Sequence, residues 1–233
     1  MSGYARSVGA LVETYDEADA TTYGDSVHGY LPNHAAVNLG TLNTVLDNSS
    51  GASHALLQSQ AKRTVTIAIG IQAAPAQGDP VFCGVFMQQA HTHELSDGIV
   101  TISAPFSGWA ADAATLAYSK PWGVLLAPKA AYTAINTAAG VDDRGAQTTS
   151  GGYMCYHLLS SNGTVNLKVQ DAATNTDVSF TDLVTSGLID ASVTPQHGIV
   201  ALSNTATVKR YLRWQLAFGT ATTATFVIAF VRV

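Results

Sequence analysis

Apolar and polar residues alternate with a period of two through most of the chain, with little of the 3.6-residue period of a helix. Residues 63–71 place Val65, Ile67, Ile69 and Ile71 on one face of a predicted strand. Two further runs, 81–89 and 98–106, flank the turn signal Ser96-Asp97-Gly98, which predicts a hairpin. Strands are also predicted at 122–127, 131–136, 153–159 and 164–170; 179–183 is a short apolar stretch, and 193–202 holds a proline break and another strand. Asn162-Gly163 has two-residue turn chemistry and predicts that 153–159 and 164–170 pair as a hairpin. A final hairpin is predicted from 208–218 and 225–233 around Gly219-Thr220. Both of its alternating sets, Phe226, Ile228, Phe230 and Val227, Ala229, Val231, are apolar, which predicts burial of both faces.

The first 60 residues read differently. They are rich in Gly, Asn, Ser and Asp, and turn signals stand at Tyr23-Gly24-Asp25, Leu31-Pro32-Asn33 and Asp47 to Gly51. A loop-rich N-terminal arm over 1–60 is expected, with Tyr4, Arg6, Val8, Leu11 and Tyr15 as its assembly contacts. The expected fold class is all-β, a sandwich or barrel. Its expected division is the arm, a first β unit at 61–118 and a sandwich-like second unit at 119–233.

Composition narrows the function. Only 12% of the residues are charged, about half the ordinary share of about 25%. A chain so poor in Lys and Glu fits a subunit that hides surface in an assembly better than a free monomer. The net charge of -5 with 11 Lys and Arg argues against a sequence-independent nucleic-acid binder. No apolar run has the length of a membrane helix, and the first residues read as lacking a cleaved signal. Cys83 and Cys155 lie in apolar strands and are expected as buried free thiols.

Catalytic signatures are sparse. No P-loop, dinucleotide glycine fingerprint, G-x-S-x-G or HExxH occurs, and no enzymatic activity and no cofactor are expected. His91 and His93, two apart on a strand, present two imidazoles to one side. A metal with a third ligand from elsewhere would suit them, although a polar strand end beside a turn explains the same pattern. They stand as metal candidates, with no metal assigned.

The acids Glu13, Asp16, Glu17 and Asp19 read as a solvated face, and Asp142-Asp143-Arg144-Gly145 as a turn. Asp171 and Asp177 flank a polar loop that a sandwich can use for calcium. Lys209-Arg210-Tyr211-Leu212-Arg213-Trp214 combines cations with aromatics, but reads first as a core strand whose arginines pair with neighbouring acids. Trp109, Trp122 and Trp214 are too dispersed for a sugar platform.

The order of segments in the C-terminal half carries a resemblance. Gly152-Tyr153-Met154-Cys155-Tyr156-His157 is followed by Asn162-Gly163-Thr164-Val165-Asn166-Leu167-Lys168-Val169-Gln170-Asp171 and Phe180-Thr181-Asp182-Leu183. It closes with Val208-Lys209-Arg210-Tyr211-Leu212-Arg213-Trp214 and Phe226-Val227-Ile228-Ala229-Phe230-Val231-Arg232. This layout resembles the β-rich major tail proteins (tail tube proteins) of long-tailed bacteriophages, the siphophages. Residues 63–71, Gly78-Asp79-Pro80-Val81-Phe82 and the strand from Asp97 to Phe106 are similar to the earlier β unit of that family.

The resemblance implies a virion structural protein, made in the host cytoplasm. It would assemble with itself into stacked rings, either sixfold or threefold and pseudo-hexameric, with other tail proteins at the tube ends. DNA would pass through the lumen without specific binding, helped by the acidic balance. No membrane is involved. A capsid decoration or cement protein and, less so, a carbohydrate-binding module are the alternatives.

Overall fold

A computed structural model describes residues 5–19, 30–47, 53–59, 61–70, 74–96, 98–108, 120–133 and 140–233. Strands dominate: β1 (Ala5–Val8), β2 (Val12–Asp19), β3 (Tyr30–Val45), β4 (Lys62–Ala68), β5 (Pro80–Gln88), β6 (Thr92–Ser96), β7 (Ile99–Gly108) and β8 (Trp122–Tyr132). They continue as β9 (Asp142–Asp143), β10 (Gly152–Ser161), β11 (Thr164–Ala172), β12 (Thr181–Asp190), β13 (Gln196–Ala201), β14 (Tyr211–Phe218) and β15 (Ala224–Arg232). Among the described residues one short α-helix, α1 (Ser53–Leu57), interrupts them. The protein is all-β with antiparallel pairing, as the alternation predicts. No described helix is long and apolar enough to cross a membrane.

The chain divides into two compact units, Met1–Arg63 with Val85–Ala110, and Thr64–Gly84 with Ala111–Val233. The division differs from the expected boundaries at 60 and 118, because β4 and β5 each run from one unit into the other.

In the first unit β3 is the spine. It is 16 residues long and pairs with β1 and β2 along one edge and β7 along the other. The far edge of β7 is shared by β6 and the last residues of β5. The expected loop-rich arm is therefore corrected: the described part of the first 60 residues is mostly strand. Pro32, Asn33, Asn38, Gly40 and Asn43 give β3 poor strand propensity. Pairing on both edges supplies the backbone hydrogen bonds that propensity does not announce. Gly40 sits at a bulge with φ 67°, and a Cβ there would lie 2.8 Å from the Ala10 carbonyl oxygen, so glycine is required. Among the described residues, Leu39, Leu57, Phe86, Ile102, Ala104 and Phe106 are the buried apolar side chains of this unit.

The second unit is a sandwich. One sheet runs β4, the start of β5, β8, β15, β10, β13, and the other runs β12, β11, β14, β9. Met154, Leu158, Phe226, Ile228 and Phe230 of the first sheet pack against Val165, Leu167, Val169, Leu212, Trp214 and Leu216 of the second. The opposite face of the first sheet buries Val81, Cys83, Leu125, Tyr153, Cys155, Ala229 and Val231. Both faces of β15 are thus covered, as its double apolar alternation predicts. Cys83 and Cys155 are buried free thiols, again as expected.

Two predicted hairpins are corrected. β10 and β11 do not pair, nor do β14 and β15; each couple passes from one sheet to the other. Asn162-Gly163 and Gly219-Thr220 are corners rather than hairpin turns, and the corners are tied together. The Asn162 side-chain oxygen accepts from the Thr222 and Thr223 N–H groups at 2.8 and 3.1 Å. The Thr220 and Thr164 N–H groups donate to each other's hydroxyl oxygens at 3.0 and 2.9 Å. Turn residues specify a reversal of direction, and both partners of each couple are apolar on their inner face. Local sequence cannot separate a hairpin from an arch between sheets.

The hairpin predicted around Ser96-Asp97-Gly98 does form, but its first arm is β6. β5 reaches β7 only through Phe86, Met87 and Gln88. The run 122–127 continues through Pro128 to Tyr132 as β8, taking in the start of the predicted run 131–136, whose residues 134–136 lie outside the described residues; the proline falls at a shift in register where no ladder N–H is needed.

Candidate functional site

In the first unit α1 follows the end of β3. Ser53, its first residue, is buried; its hydroxyl donates to the Val45 carbonyl at 2.5 Å and accepts from the Asp47 N–H at 3.1 Å. These bonds fix the start of the helix and hence His54, the next residue. The other end of α1 is held by Gln88, a buried side chain on β5. Its amide donates to the Leu57 carbonyl at 2.7 Å and the Ala90 carbonyl at 3.2 Å, and its oxygen accepts from Arg63 Nε at 3.2 Å.

Ala90 precedes His91, and β6 begins one residue later. The same buried amide therefore ties α1 to the segment that carries His91 and His93. The result is a cluster of three imidazoles, His54, His91 and His93, each offering a nitrogen within 4.8 Å of the others. His93 Nε2 and His54 Nδ1 are 3.3 Å apart, one donating to the other according to tautomer. The His91 and His93 rings meet edge to face at 4.6 Å, and His91 Nε2 is buried with no hydrogen-bond partner. Burial, with the His93 and His54 rings adding to it, holds His91 below the ordinary imidazole range, which favours the neutral form that binds metals. Beside the cluster lies a surface recess of about 350 Å³ bounded by Leu46, His54, His93 and Val100.

The alternation placed His91 and His93 on one side, and the structure brings them together with His54. Sequence reasoning missed His54 because it stands 39 residues before His93 with no periodic relation to it. Its relative scarcity was the available signal: the chain has 7 histidines, and three meet here.

The other candidate groups are occupied. Asp171 is buried and accepts from the Lys209 N–H at 2.9 Å, with Lys209 Nζ at 3.3 Å. Asp177 accepts from Arg213. The pair considered for calcium thus already faces protein cations. Arg213 is only 6% exposed, donates to Gln170 at 2.8 Å and lies 4.2 Å above the Phe180 ring. Arg210 grips Asp143 through two bonds of 2.7 Å, which hold that carboxyl at about 2. Asp142 pairs with Arg144. Leu212 and Trp214 point into the core. From Tyr211 the stretch is a core strand, and Lys209, Arg210 and Arg213 are all paired with acids, the first of the two readings its sequence allows, although Lys209 and Arg210 precede the strand.

Tyr4 lies outside the described residues. Arg6 and Tyr15 are placed on β1 and β2, Val8 is exposed on β1 and Leu11 is partly buried between the two strands. Trp109 also lies outside the described residues. Trp122 packs against Phe82 and Trp214 against Tyr132, so these two rings do not share a surface.

No protein-family model and no curated protein matches the chain. Among solved structures it is similar to the crystal structure of the SPP1 Dit (gp 19.1) protein, described as a paradigm of hub adsorption apparatus in phages infecting Gram-positive hosts. The likeness covers 99% of this chain and 95% of that one, at 10% identity and a TM-score of 0.31, an overlap that carries no argument by itself.

Proposed function

We propose that the protein is a non-enzymatic structural subunit of a phage virion, a tail-tube component that assembles with copies of itself into stacked rings through which DNA passes. The sequence resemblance, over most of residues 60–233, supports this reading, and so does the all-β antiparallel fold. The observation that carries it is the exposure of large apolar side chains at strand ends. Leu95 is 71% exposed at the tip of the β6–β7 hairpin, Leu188 is 71% exposed near the end of β12, and Val193 beyond it is 93% exposed. A free β protein places charges at such positions to block association. A subunit that is covered by its neighbours has no such need. The paired state of Lys209, Arg210 and Arg213 agrees with a conduit that lets DNA slide.

Electron microscopy of the purified chain over a range of concentrations tests the reading. Rings or hollow tubes are expected, with three or six subunits in the rotational average. Leu95→Lys and Leu188→Lys are expected to leave a folded monomer that forms neither. A monomer at every concentration that binds capsids or glycans would overturn the proposal in favour of a decoration or carbohydrate-binding role.

A further inference from the structure

We propose that His54, His91 and His93 bind a single zinc ion, and that the ion clasps α1 to the start of β6. The donor set is nitrogen only. Imidazole suits Zn²⁺ and its transition-metal neighbours, whereas Ca²⁺ and Mg²⁺ require oxygen. Two nitrogens bound to one tetrahedral zinc at about 2.0–2.1 Å stand about 3.3 Å apart. His93 Nε2 and His54 Nδ1 already have that separation, 3.3 Å. The His91 nitrogen lies within 4.8 Å of both.

A second feature points the same way. His91 Nε2 is a buried polar atom with no protein partner, and such an atom is costly unless something meets it. The recess beside His54 and His93, with Leu46 and Val100 in its wall, gives the ion a fourth position for water.

The clasp has a structural purpose. α1 is five residues long, too short to be stable by itself. The side chains of Ser53 and Gln88 hold its two ends by hydrogen bonds. A metal on His54 would add a third tie, across a wide sequence separation, where closing a loop is most effective. Gln88 acts as a positioning residue, since it spans from α1 to the residue before His91.

The test uses the full chain stripped with a chelator and titrated with Zn²⁺ alone, followed by calorimetry and by competition with a chromophoric chelator. One zinc per chain and a rise in melting temperature are expected, together with the visible absorption of a tetrahedral site when Co²⁺ replaces zinc. His54→Ala and His93→Ala should each weaken binding at least about 100-fold, and Gln88→Leu about 10–100-fold. His157→Gln, on a histidine pair in the second unit, should leave zinc stoichiometry and affinity unchanged, whatever it does to stability. Circular dichroism of each metal-free variant separates lost ligands from lost folding. Where an alanine variant does not fold, His93→Gln carries the same comparison. Absence of stoichiometric zinc on the folded parent, undiminished zinc on the His54 and His93 variants, or loss of zinc with His157→Gln would each overturn the proposal. None of these outcomes depends on whether the chain forms tubes.

Discussion

His157 on β10 and His197 on β13 stand directly opposite one another in the antiparallel ladder, with ring centroids 6.2 Å apart. His157 also meets the Thr66 hydroxyl at 3.0 Å. Burial, and then the neighbouring His197, lower His157 to about 4. The unfolded chain, with its ordinary imidazole, takes up the proton first as pH falls. Stability from this group is therefore complete above about pH 6.5 and is lost as pH falls toward about 4. The loss is expected to reach about 3 kcal/mol, and His157→Gln should flatten that part of the profile. Urea midpoints between pH 7 and pH 4.5, compared for parent and variant, check this. Equal slopes would contradict it.

Tyr153 is fully buried on β10, and its hydroxyl lies 2.7 Å from the Lys120 carbonyl oxygen and 3.0 Å from that of Cys83. Tyr153→Phe keeps the ring and strands both acceptors. A cost of about 1–2 kcal/mol is expected in chemical denaturation, with no change in the slope against denaturant.

Asn162 binds the facing corner through both ends of its amide: it accepts from Thr222 and Thr223 and donates to the Thr222 hydroxyl at 2.7 Å. The site is open to solvent, so water replaces part of what is lost. Asn162→Ala is expected to cost about 1 kcal/mol, and Thr164→Val, which removes the reciprocal bond to Thr220, a similar amount. Because both act on the same pair of corners, the double variant should fall short of the sum. Additive losses would show the corners to be independent.

The edge of β3 covered by β1 and β2 becomes bare if residues 1–19 are removed. A strand of 16 residues with an unpaired edge templates further pairing. The truncated chain is expected to form soluble aggregates or exchanged dimers in light scattering. A well-behaved truncated monomer would instead make these strands a dispensable arm.

Burial raises the Cys155 thiol well above its usual range, and Cys83 beside it adds to that shift. Both thiols are expected to resist a disulfide reagent at neutral pH in the folded chain, and to react together on unfolding. Fast reaction of either in native buffer would show that the sheet face around them opens.

Much of the second unit was legible in advance. The twofold alternation in β15 named residues for two cores, and the arginines of 209–214 were expected to pair with neighbouring acids, as they do; the pairing of Asp142 and Asp143, read as a turn, was not foreseen. The first unit was much less so. Nothing in Tyr30–Val45 marks a long strand, because its stability comes from neighbours on both edges rather than from its own side chains. The histidine cluster was half visible: His91 and His93 share a side by strand geometry alone, whereas His54 arrives through the path of the chain after β3.

The sequence by itself determined the fold class, the buried thiols and the predominance of antiparallel strands. These follow from side-chain period and charge, which are local. Tertiary structure alone decided which turns are hairpins and which are corners, where the two units divide, and that His54 joins His91 and His93. Each of these depends on what packs against an element from elsewhere in the chain. An apolar strand face does not specify its partner, and an imidazole acquires a ligand's role only from the groups that the fold places around it.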